Sequence, residues 1–436
     1  MLRPKRLTIL FDALYLAGLL LLAPLLLYRS LTTGKYRRGL AQRLGRIPRR
    51  PGCRPCVWFH SVSVGEFLAV ESLVRRFRDA HPDFDVLLSA TTRTGFDLAS
   101  SRTGGPPVIY FPCDLSWAVR RAFDAVRPSL VVLVELELWP NFLAEARSRR
   151  IPVLLANGRI SDKSARSYRR FAFAFRHAFD AVSLWGVQNE EYRRRLLDLG
   201  IPPERIVVAG NTKYDSLPDL RDDSLGPALR AELNLAPDDL LLIAGSTFSG
   251  EEEILLDLFQ DLHPRFSKLR LLLAPRHPER FDEVKEVLRS RRVRWAARTS
   301  LPQPEPADVI LLDTIGELAK IYACGDVVFV GKSLCGGGGQ NILEPAAHGK
   351  PVLFGPRVEN FRQSADLLLA RDAAVEVADK DALRRRVEEL LLKPEMRRRI
   401  GDNARRVLQT QKGATERYLA MIESLLNVPR KEPPRE

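Results

Sequence analysis

The sequence predicts an α/β protein with two doubly wound parallel sheets, each in its own domain, behind an apolar N-terminal helix. Three observations predict this: short apolar runs alternate with helical patterns, a polar stretch at 213–239 divides the runs into two sets, and residues 7–28 are nearly uncharged. With 436 residues, the chain is long enough for two or three domains with cores of their own.

Residues 7–28 read LTILFDALYLAGLLLLAPLLLY, which is about the length that crosses a bilayer core. Asp12 is the only charge in this run, and a basic segment follows it. A cleaved signal peptide has a shorter apolar stretch and a small-residue cleavage site, so we predict an uncleaved membrane anchor. The alternatives are a helix in the membrane interface and a buried helix. The larger basic cluster follows the run, which predicts a cytoplasmic location for the rest of the chain.

The composition narrows the class of partner. The chain has 68 Lys and Arg against 54 Asp and Glu, a formal charge of +14, which predicts nucleic acid, a phospholipid surface or a phosphorylated substrate as partner. The Arg triplets at 193–195, 384–386 and 397–399 lack interleaved aromatic residues, so they argue only weakly for nucleic acid. Five cysteines exclude a disulfide-stapled secreted scaffold and indicate a reducing compartment.

Strands are predicted at apolar runs rich in β-branched residues, and their near-continuous apolar character indicates parallel sheets covered on both faces. Thirteen strands are too many for one sheet, and the Asp-, Pro- and Gly-rich stretch at 213–239 is the predicted break. The predicted strands are Val57–His60, Val86–Ala90, Val108–Phe111, Leu130–Glu135, Val153–Asn157, Val182–Val187, Ile206–Ala209, Leu240–Ala244, Leu269–Ala274, Val309–Leu312, Val327–Val330, Val352–Phe354 and Ala374–Val377.

The first strand-to-helix turns of the two halves are alike: one reads HSVSVGEFLAVESL and the other AGSTFSGEEEILLDL. Ser63 and Glu66 have the spacing of a capping box, as do Ser249 and Glu252. For Glu252 we favour this capping role. For Glu66 a chemical role competes with capping, because ligands of such sheets bind at the carboxyl ends of the strands.

Three further segments are candidates for anion binding. Gly336–Gly339 precede a helix predicted to begin near Asn341, and a helix N-terminus behind a glycine loop binds anions; the alternative is a flexible surface loop. Glu344 in that helix would accept hydrogen bonds from a ribose diol or simply suit the helix dipole. Arg276 of APRHPER and Lys213 of GNTKYD each place a cation after a predicted strand, where the alternative is an ordinary solvated side chain.

Patterns typical of metal and nucleotide sites are incomplete. Cys53 and Cys56 have no second pair, so we predict free thiols rather than a zinc site with His60. The segment from Gly325 to Ser333 has one residue too many for a phosphate-binding P-loop. The sequence therefore predicts no metal and no cofactor.

Seven segments in order carry a resemblance to a known family: HSVSVGE, ELELWPN, GNTKYD, STFSGEE, PRHPER, DTIGEL and GGGGQNILEPAAHGKPVLFGP. Together they resemble the bacterial lipid A Kdo (3-deoxy-D-manno-octulosonic acid) transferases, from the anchor to about residue 410. The resemblance implies the GT-B fold, in which two Rossmann-like domains face a central cleft. It implies an anchor at 1–30, an acceptor-binding domain at 31–217 and a CMP-Kdo-binding domain at 218–436.

The resemblance also implies the reaction. The family transfers Kdo from CMP-Kdo to the tetraacylated glucosamine disaccharide bisphosphate precursor of lipid A, at the cytoplasmic face of the inner membrane. The basic surface and the anchor would then both serve a phosphorylated lipid acceptor on an anionic membrane. Direct attack with a carboxylate base predicts inversion, and cationic groups at the leaving phosphate make a metal unnecessary. The alternatives are a GT-B enzyme with another nucleotide-sugar donor and a non-catalytic, membrane-tethered binder of anionic lipid or nucleic acid.

Carried over residue by residue, the family's general base is Glu66, and its transition-state stabilisers are Glu135 and Lys213. This sequence has Gln340 where a His is common, Lys332 where a Gly is common, and Phe248 where a His is common. Gln340 does not titrate, which puts an acid–base role at that position in doubt. The implied CMP contacts are Pro275, Arg276, Gly316, Glu317, Leu318, Asn341, Ile342, Leu343 and Glu344.

Overall fold

The apolar runs form two seven-stranded sheets in which the paired strands are parallel. The computed structural model describes residues 4–33, 38–102, 105–217, 225–303 and 305–427. Contacts divide the chain into two units, Met1–Ser216 with Gln411–Glu436, and Leu217–Thr410. Since parallel strands need crossover connections, helices separate successive strands and cover both faces of each sheet.

The sheet of the first unit has the strand order β3-β2-β1-β4-β5-β6-β7. Its strands are β1 Cys56–Ser61, β2 Asp85–Ala90, β3 Val108–Tyr110, β4 Leu130–Val134, β5 Val153–Gly158, β6 Leu184–Val187 and β7 Ile206–Val208. Its helices are α1 Pro4–Thr33, α2 Leu40–Arg43, α3 Val64–Ala80, α4 Arg93–Arg102, α5 Ser116–Val126, α6 Pro140–Ser148, α7 Asp162–Arg170, α8 Ala172–Ala181, α9 Glu190–Asp198 and α18 Ala414–Leu426.

The first sheet has a separate apolar core on each face. Successive strand residues point to opposite faces, so Trp58 belongs to one core and Phe59 to the other. Trp58 packs edge-on against Phe142 of α6, with ring centroids 5.1 Å apart. Phe59 packs with Phe67 of α3, and neither ring reaches solvent.

Helix α18 packs on the first unit, whereas the sequence prediction grouped it with the second domain, 218–436. Its Tyr418 and Ile422 are buried in the core of the first unit, and the Tyr418 hydroxyl donates to the carbonyl of Gly210 at 3.1 Å. The Asp215 carboxylate accepts from the N–H groups of Gly413 and Thr415 at 2.7 and 2.5 Å, which caps the start of α18. The apolar stripe of α18 therefore completes the first core.

The sheet of the second unit has the order β10-β11-β9-β8-β12-β13-β14. Its strands are β8 Leu240–Thr247, β9 Leu269–Pro275, β10 Trp295–Ala297, β11 Val309–Leu311, β12 Val327–Val330, β13 Val352–Phe354 and β14 Val375–Glu376. Its helices are α10 Leu225–Glu232, α11 Glu251–Leu262, α12 Phe281–Ser290, α13 Leu318–Ile321, α14 Leu343–Ala347, α15 Arg362–Leu369, α16 Lys380–Leu392 and α17 Pro394–Gln411. The predicted fold class is confirmed, and β10 is the strand that the prediction missed.

Helix α1 contains the predicted apolar run. Within it, residues 8–25 have a mean hydropathy of 2.0 and none of them is buried, so the helix is long and apolar enough to cross a membrane. Several of its leucines are largely exposed, among them Leu20 at 75% and Leu21 at 84%.

Candidate active site

Three carboxylates and a lysine lie at the carboxyl edge of the first sheet. Glu66 is in the first turn of α3, directly after β1, while Glu135 and Glu137 follow β4, the neighbour of β1. Lys213 lies in the short 3-10 helix Thr212–Tyr214 after β7, and that helix packs against α3. Because all strands are parallel, these loops meet at one edge.

The Glu66 carboxylate is held by the loop that precedes its own helix. It accepts from the Val62 N–H at 2.6 Å and from the Ser63 hydroxyl at 3.2 Å. Ser63 is the N-cap residue but caps no backbone N–H, so the predicted capping box is not formed as such. Glu66 is partly buried, and these two hydrogen bonds fix the position of its carboxylate.

The environment of Glu66 brings its pKa close to neutrality. Burial raises the pKa to about 7, the Val62 N–H opposes this, the negative charge of Glu135 raises the pKa further, and Ser63 and Lys213 oppose it. The structure thus brings Glu66, Glu135 and Lys213 within electrostatic reach of one another. A carboxylate with a pKa near the working pH is suited to accept a proton during a reaction.

The loop after β4 has two features that the sequence did not reveal. Glu135 has a φ of 61°, a left-handed conformation that is costly for a side chain with a Cβ and occurs most often at functional sites. Glu137 also has its pKa raised to about 7, first by burial and then by the charge of Glu66. The i, i+2 spacing of the two acids in ELELWPN is the only sequence signal for Glu137, since its burial depends on the tertiary fold.

His60 belongs to the core rather than to a metal site. Its ring stacks on Phe111 with centroids 3.6 Å apart, and its Nδ1 lies 3.0 Å from the Ser89 hydroxyl. Burial lowers its pKa to about 3. Cys53 is exposed and Cys56 is buried, and neither forms a disulfide.

In the second unit, the implied nucleotide contacts lie at the carboxyl ends of β9, β11 and β12. Strands β9 and β12 lie on either side of β8, and β11 lies next to β9. Because the strands are parallel, the loops that follow them lie at the same edge of the sheet. Burial raises the pKa of the Glu344 carboxyl, and the hydrogen bond from Asn341 and the charge of the exposed Arg276 oppose this rise. The structure therefore places Arg276 within electrostatic reach of Glu344.

The other implied nucleotide contacts differ in whether the residue is exposed or buried. Gly316 is exposed and has a φ of 90°, and Glu317 precedes Leu318, the first residue of α13. The side chains of Pro275, Ile342 and Leu343 are buried, so a ligand at this edge would meet their backbone rather than their side chains.

The backbone conformation of the glycine loop requires glycine at several of its positions. Gly336, Gly338 and Gly339 have positive φ values of 89°, 93° and 68°. A Cβ on Gly339 would lie 2.9 Å from the Cα of Val358, and one on Gly338 would lie 2.6 Å from the Asn360 amide nitrogen. Side chains at these two positions would collide with the 358–360 segment.

The helix after the glycine loop differs from the prediction. It begins at Leu343 instead of near Asn341 and has only five residues, too few for a strong N-terminal dipole. The Asn341 side chain takes over the local hydrogen bonds: its oxygen accepts from the Leu343 N–H at 3.1 Å and its amide donates to Glu344 at 2.9 Å. The helix starts two residues later than predicted, and the anion site behind the glycine loop stays a prediction.

Glu251 fastens the start of this loop to α11. Its completely buried carboxylate accepts from five backbone N–H groups, at 2.6 to 3.1 Å. The donors are Phe248, Lys332, Ser333, Leu334 and Cys335.

Glu252 does not cap α11, so that prediction is wrong. The N-cap residue is Gly250, with no side-chain cap. Glu252 is fully buried and accepts instead from the Thr247 hydroxyl at 2.7 Å and from the Arg280 guanidinium at 2.7 and 3.2 Å. Burial of the carboxylate explains why it pairs with a cation from another loop.

Two of the departures from the family pattern contact each other. The Lys332 ammonium lies over the Phe248 ring, 5.8 Å from its centroid. Lys332 has a φ of 56°, a conformation that favours the glycine common at this position. Lys332 therefore has both a cation–π contact and a strained backbone conformation.

Comparison with known proteins assigns the family. The family model described as 3-Deoxy-D-manno-octulosonic-acid transferase (kdotransferase) matches residues 38–216. The chain is 34% identical over 421 residues to the 3-deoxy-D-manno-octulosonic acid transferase of Haemophilus influenzae, and the match covers 94% of this chain and 98% of that one. The chain belongs to the Kdo transferase family. The Kdo transferase of Chlamydophila psittaci is 31% identical over 423 residues, covering 95% of this chain and 96% of that one.

Similarity to solved structures confirms the fold. UDP-GlcNAc 2-epimerase from Neisseria meningitidis, bound to UDP-GlcNAc, matches with a TM-score of 0.59 at 14% identity, over 85% of this chain and 100% of that one. A putative UDP-N-acetylglucosamine 2-epimerase from Listeria monocytogenes also has a TM-score of 0.59 at 14% identity, over 86% of this chain and 97% of that one. At this identity the likeness shows the GT-B fold alone. As a Kdo transferase, the protein is a glycosyltransferase that transfers Kdo in lipopolysaccharide biosynthesis.

Proposed function

We propose that this Kdo transferase uses CMP-Kdo as donor and the acylated, bisphosphorylated glucosamine disaccharide precursor of lipid A as acceptor, with inversion and without a metal ion. The observation that carries the proposal is the partly buried Glu66 carboxylate, whose pKa of about 7 suits a general base.

In this mechanism an acceptor hydroxyl attacks the anomeric carbon of Kdo and gives its proton to Glu66. The new carbon–oxygen bond forms as the bond to the CMP phosphate oxygen breaks, and CMP leaves with the electron pair. Attack opposite the leaving group inverts the anomeric centre. The Val62 N–H and the Ser63 hydroxyl orient the base, while Glu135 and Lys213 stabilise the charges that develop in the transition state.

The leaving CMP gains negative charge, and the second unit has groups that suit it. Arg276 provides an exposed guanidinium, and the glycine loop provides the N–H groups of Gly336 and Gly337, since those of Gly338 and Gly339 donate to Glu359 and to the Lys332 carbonyl. Glu344, near Arg276, accepts hydrogen bonds from the ribose hydroxyls. The remaining CMP contacts are Pro275, Gly316, Glu317, Leu318, Asn341, Ile342 and Leu343.

The acceptor is a membrane lipid, which explains the anchor. The apolar segment 8–25 holds the enzyme at the cytoplasmic face of the inner membrane, and the excess of positive charge attracts the anionic surface and the phosphates of the acceptor.

The test of the base is Glu66→Gln, assayed with CMP-Kdo and the lipid acceptor by mass analysis of the product. We expect turnover to fall by about 10²–10⁴-fold, the usual contribution of a positioned base, with unchanged CMP binding. Glu71→Gln, on the same helix and paired at the surface with Arg102, is the matched control and should retain full activity. Near-normal turnover of Glu66→Gln would contradict the proposal.

The donor is tested separately by thermal unfolding with nucleotides. CMP should raise the melting temperature of the protein at concentrations where UDP does not, because only a ligand bound by the folded state stabilises it. Stabilisation by UDP that equals or exceeds that by CMP would favour another nucleotide-sugar donor.

A further inference from the structure

The first unit contains an apolar cavity of about 200 Å³, separate from the proposed base. Helix α1 forms one wall, and the segments after β2, β3 and β4 form the others. The residues that give it its character are Tyr15, Leu19, Arg43, Phe111, Leu115 and Trp139.

The wall formed by α1 is fixed by hydrogen bonds. Asp12, the only charge in the apolar run, accepts from the Ser116 N–H at 2.9 Å, the Ser116 hydroxyl at 2.5 Å and the Asn141 amide at 3.0 Å. Asp114 in turn accepts from the N–H groups of Asn141 and Phe142, at 3.0 and 2.8 Å. Helix α1 is therefore joined to the N-termini of α5 and α6, so the cavity is a built feature of this unit.

Arg43 gives the cavity a positive charge. Its guanidinium stacks over the Tyr110 ring at 4.7 Å and donates to the Thr91 carbonyl at 2.5 Å. Its Nε–H is buried without a hydrogen-bond partner, and no carboxylate of the described residues forms an ion pair with it. Asp114 also lines the cavity, but its carboxylate already accepts from the N–H groups of Asn141 and Phe142. The Arg43 cation beside a mainly apolar lining therefore fits a ligand that carries both an apolar chain and an anionic group.

The cavity lies beside the loop that holds Glu66. Strand β1, which leads to Glu66, lies between β2 and β4, and the segments after β2 and β4 both line the cavity. The N–H of Thr92 donates to the carbonyl of Val62 at 3.0 Å, which joins the cavity wall to the residue that holds the Glu66 carboxylate.

The apolar surface of α1 indicates which kind of ligand the cavity suits. Leu19 lines the cavity, and the next residues, Leu20 and Leu21, are 75% and 84% exposed on the helix that is suited to the membrane. The cavity thus borders an exposed apolar surface of α1. A cavity of about 150 Å³ binds benzene, so this one has room for a short stretch of hydrocarbon chain.

We propose that this cavity holds part of one fatty acyl chain of the acceptor lipid, while Arg43 pairs with a phosphate of the same lipid. The chain would then remain in apolar surroundings while the sugar hydroxyl reaches Glu66. This inference rests on the proposed function, since it takes a phosphorylated lipid as the acceptor.

The first test fills the cavity from its membrane side. Leu19→Trp should lower kcat/KM for the acylated acceptor by about tenfold, the loss expected when about two methylene groups no longer find an apolar site. The same variant should use a deacylated acceptor as well as the wild type does. Leu21→Trp, two positions along the helix and outside the cavity, should match the wild type with both acceptors. An unchanged Leu19→Trp enzyme, or equal losses with both acceptors, would overturn the proposal.

The second test needs neither CMP-Kdo nor turnover, so its failure is distinct from failure of the proposed function. Cys113 lines the cavity and is a partly exposed free thiol, while Cys53 is exposed elsewhere. In full-length protein, the acylated acceptor should slow maleimide modification of Cys113 several-fold and leave Cys53 unchanged, as measured by peptide mass spectrometry. Glucosamine 1-phosphate, which has the phosphate but no chain, should not protect. Absence of protection by the lipid, or equal protection by the sugar phosphate, would show that no acyl chain is held here.

Discussion

The two units use the same strand-to-helix turn for different purposes. After β1, Glu66 is partly buried, accepts from one N–H and one hydroxyl, and has a pKa of about 7. After β8, Glu251 is completely buried and satisfies five backbone N–H groups. The residue types and the Gly-Glu pattern are shared, so burial and partners decide which carboxylate is left for chemistry and which one builds a loop.

The largest expected effect on stability comes from Glu251→Gln. The amide would present a donor to N–H groups that need an acceptor, and we expect the second unit to lose about 2–4 kcal/mol, since hydrogen bonds to charged groups are worth about 1.5–3 kcal/mol each. CMP binding should weaken with it, because the glycine loop would no longer be fixed. Thermal unfolding and CMP titration measure both effects.

The controls for Glu251→Gln sharpen the contrast between the two turns. Asp257→Asn removes only an exposed ion pair on the same helix and should cost less than about 1 kcal/mol. Glu66→Gln should lower turnover by about 10²–10⁴-fold without lowering the melting temperature. If Glu251→Gln were as stable as the wild type, or if Glu66→Gln unfolded as readily as Glu251→Gln, the division of roles would be wrong.

The next effect is the pH dependence of kcat/KM. Glu66 must be ionised to act as a base, so kcat/KM should fall about tenfold per pH unit below its pKa of about 7. Glu135→Gln removes a negative charge that raises this pKa and should move the midpoint to lower pH. Lys213→Met removes a positive charge that lowers it and should move the midpoint to higher pH. Each variant is compared with Glu71→Gln, and a midpoint that does not move in Glu135→Gln would remove Glu135 from the site.

The raised pKa of Glu66 also makes the free energy of unfolding depend on pH. The folded state holds the proton of Glu66 more tightly than the unfolded chain, where the pKa is about 4.5. The contribution of Glu66 to stability is therefore present below pH 4.5 and is lost as the pH rises to about 7. Glu66→Gln should remove that part of the pH dependence of the unfolding free energy.

The sequence predicted features that depend on local pattern and missed those that depend on distant partners. Apolar runs rich in β-branched residues predicted thirteen strands, whereas β10 escaped because it reads Trp-Ala-Ala and has no β-branched residue. Glu251 could not be assigned because the donors on its loop lie 81–84 positions along the chain. Glu137 was missed because a buried carboxylate is recognised only from the fold around it. The place of α18 depends on Asp215, 198 positions from Gly413.

The smallest expected effect concerns Lys332 in the glycine loop of the second unit. Its φ of 56° destabilises the folded state of a residue with a Cβ by about 1–2 kcal/mol. The contact of its ammonium with the Phe248 ring stabilises the folded state by about 0.5–1 kcal/mol. Lys332→Ala keeps the backbone strain and loses the ring contact, whereas Lys332→Gly loses the contact but relieves the strain. We therefore expect Lys332→Gly to be about 1 kcal/mol more stable than Lys332→Ala by denaturant unfolding. In a Phe248→Ala background, where no ring contact remains to be lost, Lys332→Gly should stabilise the protein outright. If glycine were no better than alanine in either background, the left-handed backbone at this position would carry no strain. The loop of the second unit would then accept a side chain in this conformation without a cost in stability.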